Sequence, residues 1–124
     1  MAIILGHDPS LAAYGLALVE TDGPTLLAHA VIMAPAKYPR AVRLRTIYSS
    51  VRSRIEAWGD TWAIDSAAFE AGFAFGGGGR AADLAISEAR GVGLLASSHL
   101  DCVTIPPSTI RKAVVGRGNA QNPV

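Results

Sequence analysis

The stretch Ala2-Ile3-Ile4-Leu5-Gly6-His7-Asp8-Pro9-Ser10 decides how the rest of the chain is read. Ala2–Gly6 has the length and composition of a buried strand, and His7-Asp8-Pro9-Ser10 is its polar exit. An acid therefore stands at the carboxyl end of a strand. Two more apolar runs follow closely, Tyr14–Glu20 and Thr25–Met33, with the turn signal Asp22-Gly23-Pro24 between them. Three runs joined this tightly predict an antiparallel meander.

Beyond the meander the period changes. Leu44, Ile47, Tyr48, Val51, Ile55 and Trp58 recur every three or four residues, which predicts a helix. Pro39 suits its first turn and Gly59-Asp60 its end. Trp62–Phe69 reads as a fourth strand that delivers Glu70 at its carboxyl side. Gly72 and Gly76–Gly79 form a loop, and no Gly-Lys-Ser or Gly-Lys-Thr follows to make it a phosphate cradle. Ala81–Ser98 is a second helix with Leu84, Ala85, Ala89, Val92 and Leu95 on one face. Asp101–Ile105 is a fifth strand, and Pro106-Pro107-Ser108 opens a short helix through Ile110 and Val114 that Gly116 stops. The order β-β-β-α-β-α-β-α predicts an α/β fold: a five-stranded mixed sheet flanked by helices.

Composition sets the outer bounds. The chain has 124 residues, 50% hydrophobic and 17% charged, which suits one domain over 1–124 and excludes general disorder. The single cysteine, Cys102, excludes a disulfide framework and a cysteine-rich zinc site; inside a predicted strand it reads as a small core residue. No apolar run approaches the roughly 18–20 residues of a membrane span, and the start lacks the basic region of a signal peptide. The expected setting is cytoplasmic, without a membrane partner.

The net charge of +1 hides an asymmetry. Arg40, Arg43, Arg45, Arg52 and Arg54 crowd one segment, and Arg111, Lys112 and Arg117 crowd a tail with no acid after Asp101. The first cluster has two readings, a phosphate-binding surface or a solvated helix face; the second favours an anionic partner.

The acids Asp8, Asp65 and Glu70 lie at or near predicted strand ends. Carboxylates converging at one sheet edge suit hard cations such as magnesium, and a metal pair can activate water and stabilise a leaving oxygen at phosphorus. The alternative for each acid is a solvated turn residue. His7, His29 and His99 show no metal-like spacing, and His7, next to Asp8 on a strand, points to the opposite face as a structural residue.

Several blocks together resemble the RuvC family of Holliday junction resolvases. Ile4-Leu5-Gly6-His7-Asp8-Pro9-Ser10 with Tyr14-Gly15 resembles its opening, Gly-Ile-Asp-Pro-Gly and a Gly-containing second strand. Arg43-Leu44-Arg45-Thr46-Ile47-Tyr48 looks like its first helix, and Phe69-Glu70-Ala71-Gly72-Phe73 resembles Ile-Glu-x-x-Phe. Glu88-Ala89-Arg90-Gly91-Val92 is similar to Gln-Ala-Arg-Gly-Val. Ile110-Arg111-Lys112-Ala113-Val114-Val115-Gly116-Arg117-Gly118 resembles Val-Lys-Lys-Ala-Val-Val-Gly-x-Gly, the most specific block. The blocks run through nearly the whole chain in the family's order.

The resemblance implies a ribonuclease H-like homodimer making paired, magnesium-dependent nicks in four-way DNA junctions, with manganese as a substitute metal. It implies Asp8 as the first metal ligand and Glu70 as the second; Asp65, which follows Trp-Ala-Ile as a family glutamate follows Val-Ala-Ile, is the alternative. Phe73 would stack on unpaired junction bases, and Arg80, Arg111, Lys112 and Arg117 would contact DNA. Three features depart from the pattern. The family's third and fourth ligands lie on a later helix, absent before Val124; Asn122 stands where the family has a lysine; Gly76–Gly79 lengthens the loop after Glu70. The metal site in this sequence is half built. Besides a resolvase, the sequence therefore admits a junction-binding module that does not cut, and a nucleotide-binding scaffold of the same fold.

Overall fold

A computed structural model describes residues 1–70 and 79–105. The elements are β1 (Ile3–Asp8), β2 (Ala13–Glu20), β3 (Thr25–Met33), α1 (Arg40–Gly59), β4 (Ser66–Glu70), α2 (Gly79–Ala96) and β5 (Asp101–Ile105). The expected loop through Gly76, the short helix opened by Pro106, and Phe73, Arg111, Lys112 and Arg117 lie outside the described residues.

The strands form one sheet in the order β3-β2-β1-β4-β5. β1, β2 and β3 pair antiparallel as the predicted meander, while β1–β4 and β4–β5 are parallel. Parallel neighbours need a long crossover, which α1 and α2 provide. The mixed five-stranded sheet thus follows from two tight turns and two helical returns.

Boundaries of β1 and β4 differ from the sequence reading, and α2 lies two residues earlier than expected at both ends. β1 runs on through Asp8, because antiparallel pairing with β2 continues to Asp8↔Gly15. β4 begins at Ser66, four residues later than expected, because Thr61 and Trp62 donate their N–H groups back to the Trp58 carbonyl and round off α1. Both helices pack on the sheet face that carries Leu5, Tyr14, Leu16 and Leu18. α1 has neither a side-chain cap nor an acid in its first turn. Its stability comes from burying Ile47, Val51, Ile55 and Trp58, about 1.5–3 kcal/mol for each fully buried large aliphatic side chain.

α2 corrects a second expectation. Ala85, Ala89 and Val92 face the core, but Leu84 and Leu95 are 53% and 63% exposed. The helix buries its small residues and turns its large leucines outward, since small residues let it lie close to the sheet. Cys102 is also corrected: β5 is an edge strand and the thiol is exposed. Its Sγ–H points at the Ser97 and Leu100 carbonyls, 3.4 and 3.6 Å away, and partial burial raises its pKa, with Asp101 adding to the shift. A raised pKa disfavours the reactive thiolate.

The arginine cluster of α1 is largely used within the fold. Arg40 bonds Glu88 on α2 at 2.9 Å, and Arg43 donates to the Ala34 carbonyl at 2.9 Å. Arg52 donates to the Ala96 carbonyl and to His99 Nδ1, and Arg54 lies over the Trp58 ring. Arg45 remains on the exposed side of the helix. Much of this cluster stitches α1 to its neighbours. No helix among the described residues is long and apolar enough to cross a membrane.

Candidate metal-binding edge of the sheet

The three acids separate by strand end. β1 and β4 run parallel with Ile4 opposite Ser66 and His7 opposite Phe69, so Asp8 and Glu70 are the next positions in the same register. In a parallel pair, residues at matched positions point to the same face. Asp8 and Glu70 therefore stand side by side at the carboxyl edge of the two central strands. Asp65 lies at the opposite end, just before β4, where its Oδ2 accepts the Ile3 N–H at 2.8 Å and its own N–H donates to the Ile3 carbonyl at 2.8 Å. Asp65 and Glu70 are thus separated along the strand, Asp65 immediately preceding β4 and Glu70 closing it.

Gly15 completes the edge. It pairs with Asp8 across β2, and a Cβ built on it would sit 3.2 Å from the Asp8 Cβ and 3.8 Å from its Oδ2. A side chain at position 15 would crowd the Asp8 Cβ, so glycine keeps a hollow on that flank. Two carboxylates beside such a hollow fit a hard divalent cation, which takes oxygen ligands and retains several waters. No group of three metal-capable side chains occurs among the described residues.

Behind Asp8, on the core face, lies a buried polar network. His7 is fully buried, with Nδ1 2.6 Å from the Tyr14 hydroxyl and Nε2 2.9 Å from the Ser97 Oγ. Its ring stacks on Phe69 at 4.1 Å between centroids. Burial lowers the His7 pKa to about 3, so the imidazole is neutral. One nitrogen then donates and the other accepts, and both have a partner. Burial raises the Tyr14 phenol, with Asp8 adding to the shift and Arg90 opposing it. α2 reaches this network only because residue 93 is glycine: a Cβ there would fall 1.8 Å from the Tyr14 hydroxyl.

His7 faces the core, as its place beside Asp8 on a strand predicts, whereas its partners and the role of Gly93 are scarcely visible in the sequence. The signal for both was faint: a histidine where the family pattern has isoleucine, and a glycine inside a helix. Arg80 is exposed in the first turn of α2.

With this geometry in place, comparison with known proteins is direct. A family model described as "Crossover junction endodeoxyribonuclease RuvC" matches residues 4–123. The chain is 33% identical to the protein of that name from Heliobacterium modesticaldum, over 96% of this chain and 72% of that one. It is 29% identical to the one from Treponema pallidum, over 98% of this chain and 61% of that one. It therefore spans between three-fifths and three-quarters of these relatives. Among solved structures, T. thermophilus RuvC in complex with a Holliday junction substrate superposes with a TM-score of 0.75, at 20% identity over 98% of this chain and 73% of that one. The family match over residues 4–123, the sequence identities and the superposition agree: this chain belongs to the RuvC family of crossover junction endodeoxyribonucleases and has its ribonuclease H-like fold.

Proposed function

We propose that this chain is a single nuclease domain over 1–124 that resolves four-way DNA junctions by hydrolysing phosphodiester bonds with Mg2+, or Mn2+ in its place. The observation that carries the reading is the register of β1 against β4, which sets Asp8 and Glu70 side by side next to the hollow at Gly15. The two carboxylates hold the metal, and the sheet fixes their separation before substrate arrives. When bound, the metal supplies an activated water and charge neutralisation at the scissile phosphate.

The remaining roles follow from residue chemistry. Arg80, exposed at the start of α2, together with Arg111, Lys112 and Arg117, contacts backbone phosphates; Phe73 stacks on unpaired junction bases. Paired nicks require two copies. The outward face of α2, where Leu84, Leu94 and Leu95 are exposed, is the surface that would make that contact.

The test is a nicking assay on a synthetic four-way junction and on linear duplex of the same sequence. Paired, metal-dependent nicks in the junction alone are expected. Equal cutting of the linear duplex would overturn the reading, and junction binding without nicks would identify a binding module instead. Affinity should fall with salt at a slope near −0.9 per phosphate contact on duplex arms.

A further inference from the structure

The side of α2 that meets the sheet carries Arg90, Gly93 and Ser97, spaced three and four residues apart and hence on one stripe of the helix. Gly93 and Ser97 touch Tyr14 and His7 behind Asp8. Arg90 reaches the neighbouring strand. Its Nη1 donates to the Glu70 main-chain carbonyl at 2.5 Å, and its guanidinium carbon lies 5.5 Å from the centre of the Phe69 ring. Phe69 is buried and stacked in turn on His7. One guanidinium thus rests on the residue before Glu70 and bonds the backbone of Glu70 itself.

The position of this bond matters. Pairing of β4 with β1 extends to His7↔Phe69, so Glu70 lies just beyond that ladder, while on its other side it pairs with Ile105 of β5. The Arg90 bond is a further hold on its main chain at the edge where Asp8 stands. A hydrogen bond from a charged donor is about twice as strong as a neutral one, and the planar guanidinium is anchored by its ring contact. Arg90 is partly buried and engaged on the core side of the sheet, which separates it from the exposed cations suited to phosphate. Its charge is close enough to act on Tyr14, the same phenol that Asp8 acts on, so it belongs to this end of the sheet.

We propose that Arg90 is a positioning residue: by clamping the Glu70 carbonyl against the Phe69 ring, it aims the Glu70 carboxylate toward the metal shared with Asp8. The inference rests on the reading of Asp8 and Glu70 as metal ligands, and it concerns what holds one of them in place. Removing a group that orients a metal ligand typically costs 10–100-fold in metal affinity or activity.

The experiment uses the full chain as wild type, Arg90→Met, Arg90→Lys and Glu70→Gln. Mn2+ binding is followed by the electron paramagnetic resonance of the free ion, and junction affinity is measured in EDTA. Steady-state nicking and thermal melting complete the set. Arg90→Met should weaken Mn2+ binding and lower kcat about tenfold or more, with KM and metal-free junction affinity within about twofold. Arg90→Lys, which keeps the charge but not the planar fork, should recover only part of the loss. If Arg90→Met unfolds, Phe69→Leu, which removes the ring beneath the guanidinium, should show a smaller loss of Mn2+ affinity in a folded protein. Unchanged Mn2+ binding and kcat in the folded Arg90 and Phe69 variants, alongside a clear loss in Glu70→Gln, would overturn the inference and leave the ligand assignment standing. No loss in Glu70→Gln would overturn both. A drop in metal-free junction affinity with a salt slope smaller by about one would make Arg90 a phosphate contact and also overturn it.

Discussion

At the amino end of the β1–β4 pair, Asp65 accepts the Ile3 N–H at 2.8 Å and returns its own N–H to the Ile3 carbonyl. At the carboxyl end, Asp8 and Glu70 stand at the next register positions, with Gly15 holding a hollow on the flank of Asp8. The same two strands thus carry acids at both ends. One carboxylate serves the main chain, where it substitutes for a ladder bond. The other two are set beside each other, which is electrostatically costly unless a cation joins them. An acid near a strand end is informative only once its backbone partners are known.

The largest expected effect tests this contrast directly. Asp8→Asn and Glu70→Gln should each reduce metal-dependent nicking by about 10³-fold, several kcal/mol of lost charge stabilisation, while leaving junction binding intact. Asp65→Asn keeps an oxygen that can still accept the Ile3 N–H, so it should cut within about twofold of wild type. The readout is single-turnover nicking of a four-way junction with metal in excess. An inactive Asp65→Asn paired with an active Glu70→Gln would exchange the roles of the two ends.

Much of this end-to-end contrast could be read from the residues. The meander and both helices follow from apolar period and turn signals, because these segments bury one face against a single core. Asp8 was legible as the acid closing the first strand. The start of β4 was not, since Trp62 and Ile64 continue an apolar run that backbone bonds to Trp58 end. The clamp of Arg90 on Glu70 and the fit of Gly93 against Tyr14 were equally hidden. Each depends on a contact between residues at least 20 apart in the chain, which no local pattern encodes. Exposure of Leu84 and Leu95 reversed the expectation for α2, because residues three and four apart share a stripe whether that stripe faces the sheet or solvent.

A smaller effect sharpens the carboxyl end. Gly15→Ala would place a methyl group 3.2 Å from the Asp8 Cβ, close enough to displace that side chain by a few tenths of an ångström. Metal affinity should fall several-fold by calorimetric titration, with folding stability changed by about 1 kcal/mol or less. The matching control at the amino end is Glu20, which pairs with Ile3 in the same β1–β2 ladder. Glu20→Ala should leave metal affinity unchanged. Equal losses in both variants would mean that the ladder as a whole, and not the hollow at Gly15, governs the site.

The last effect is on folding stability and not on cleavage, and it concerns what lies behind the carboxyl end. His7 has its pKa lowered from 6.5 to about 3 by burial. Between those values the unfolded chain binds a proton that the folded chain refuses, so the unfolded state holds more protons and stability rises with pH. The contribution is therefore complete above about pH 6.5 and is lost as pH falls toward 3, at up to 1.36 kcal/mol per pH unit. Urea unfolding at pH 6.5 and pH 5 should differ by about 2 kcal/mol from this residue, in a range where ordinary carboxylates remain ionised. His7→Ile removes the titrating group but strands the Tyr14 and Ser97 hydroxyls, so it should be less stable at pH 7 by about 1–3 kcal/mol per unpaired group. Its stability should also be flatter with pH, so the gap to wild type narrows on acidification. His29→Gln, a change at an exposed strand position, should keep the wild-type slope. A slope that survives in His7→Ile would place the acid sensitivity elsewhere in the sheet and leave the buried network a matter of packing alone.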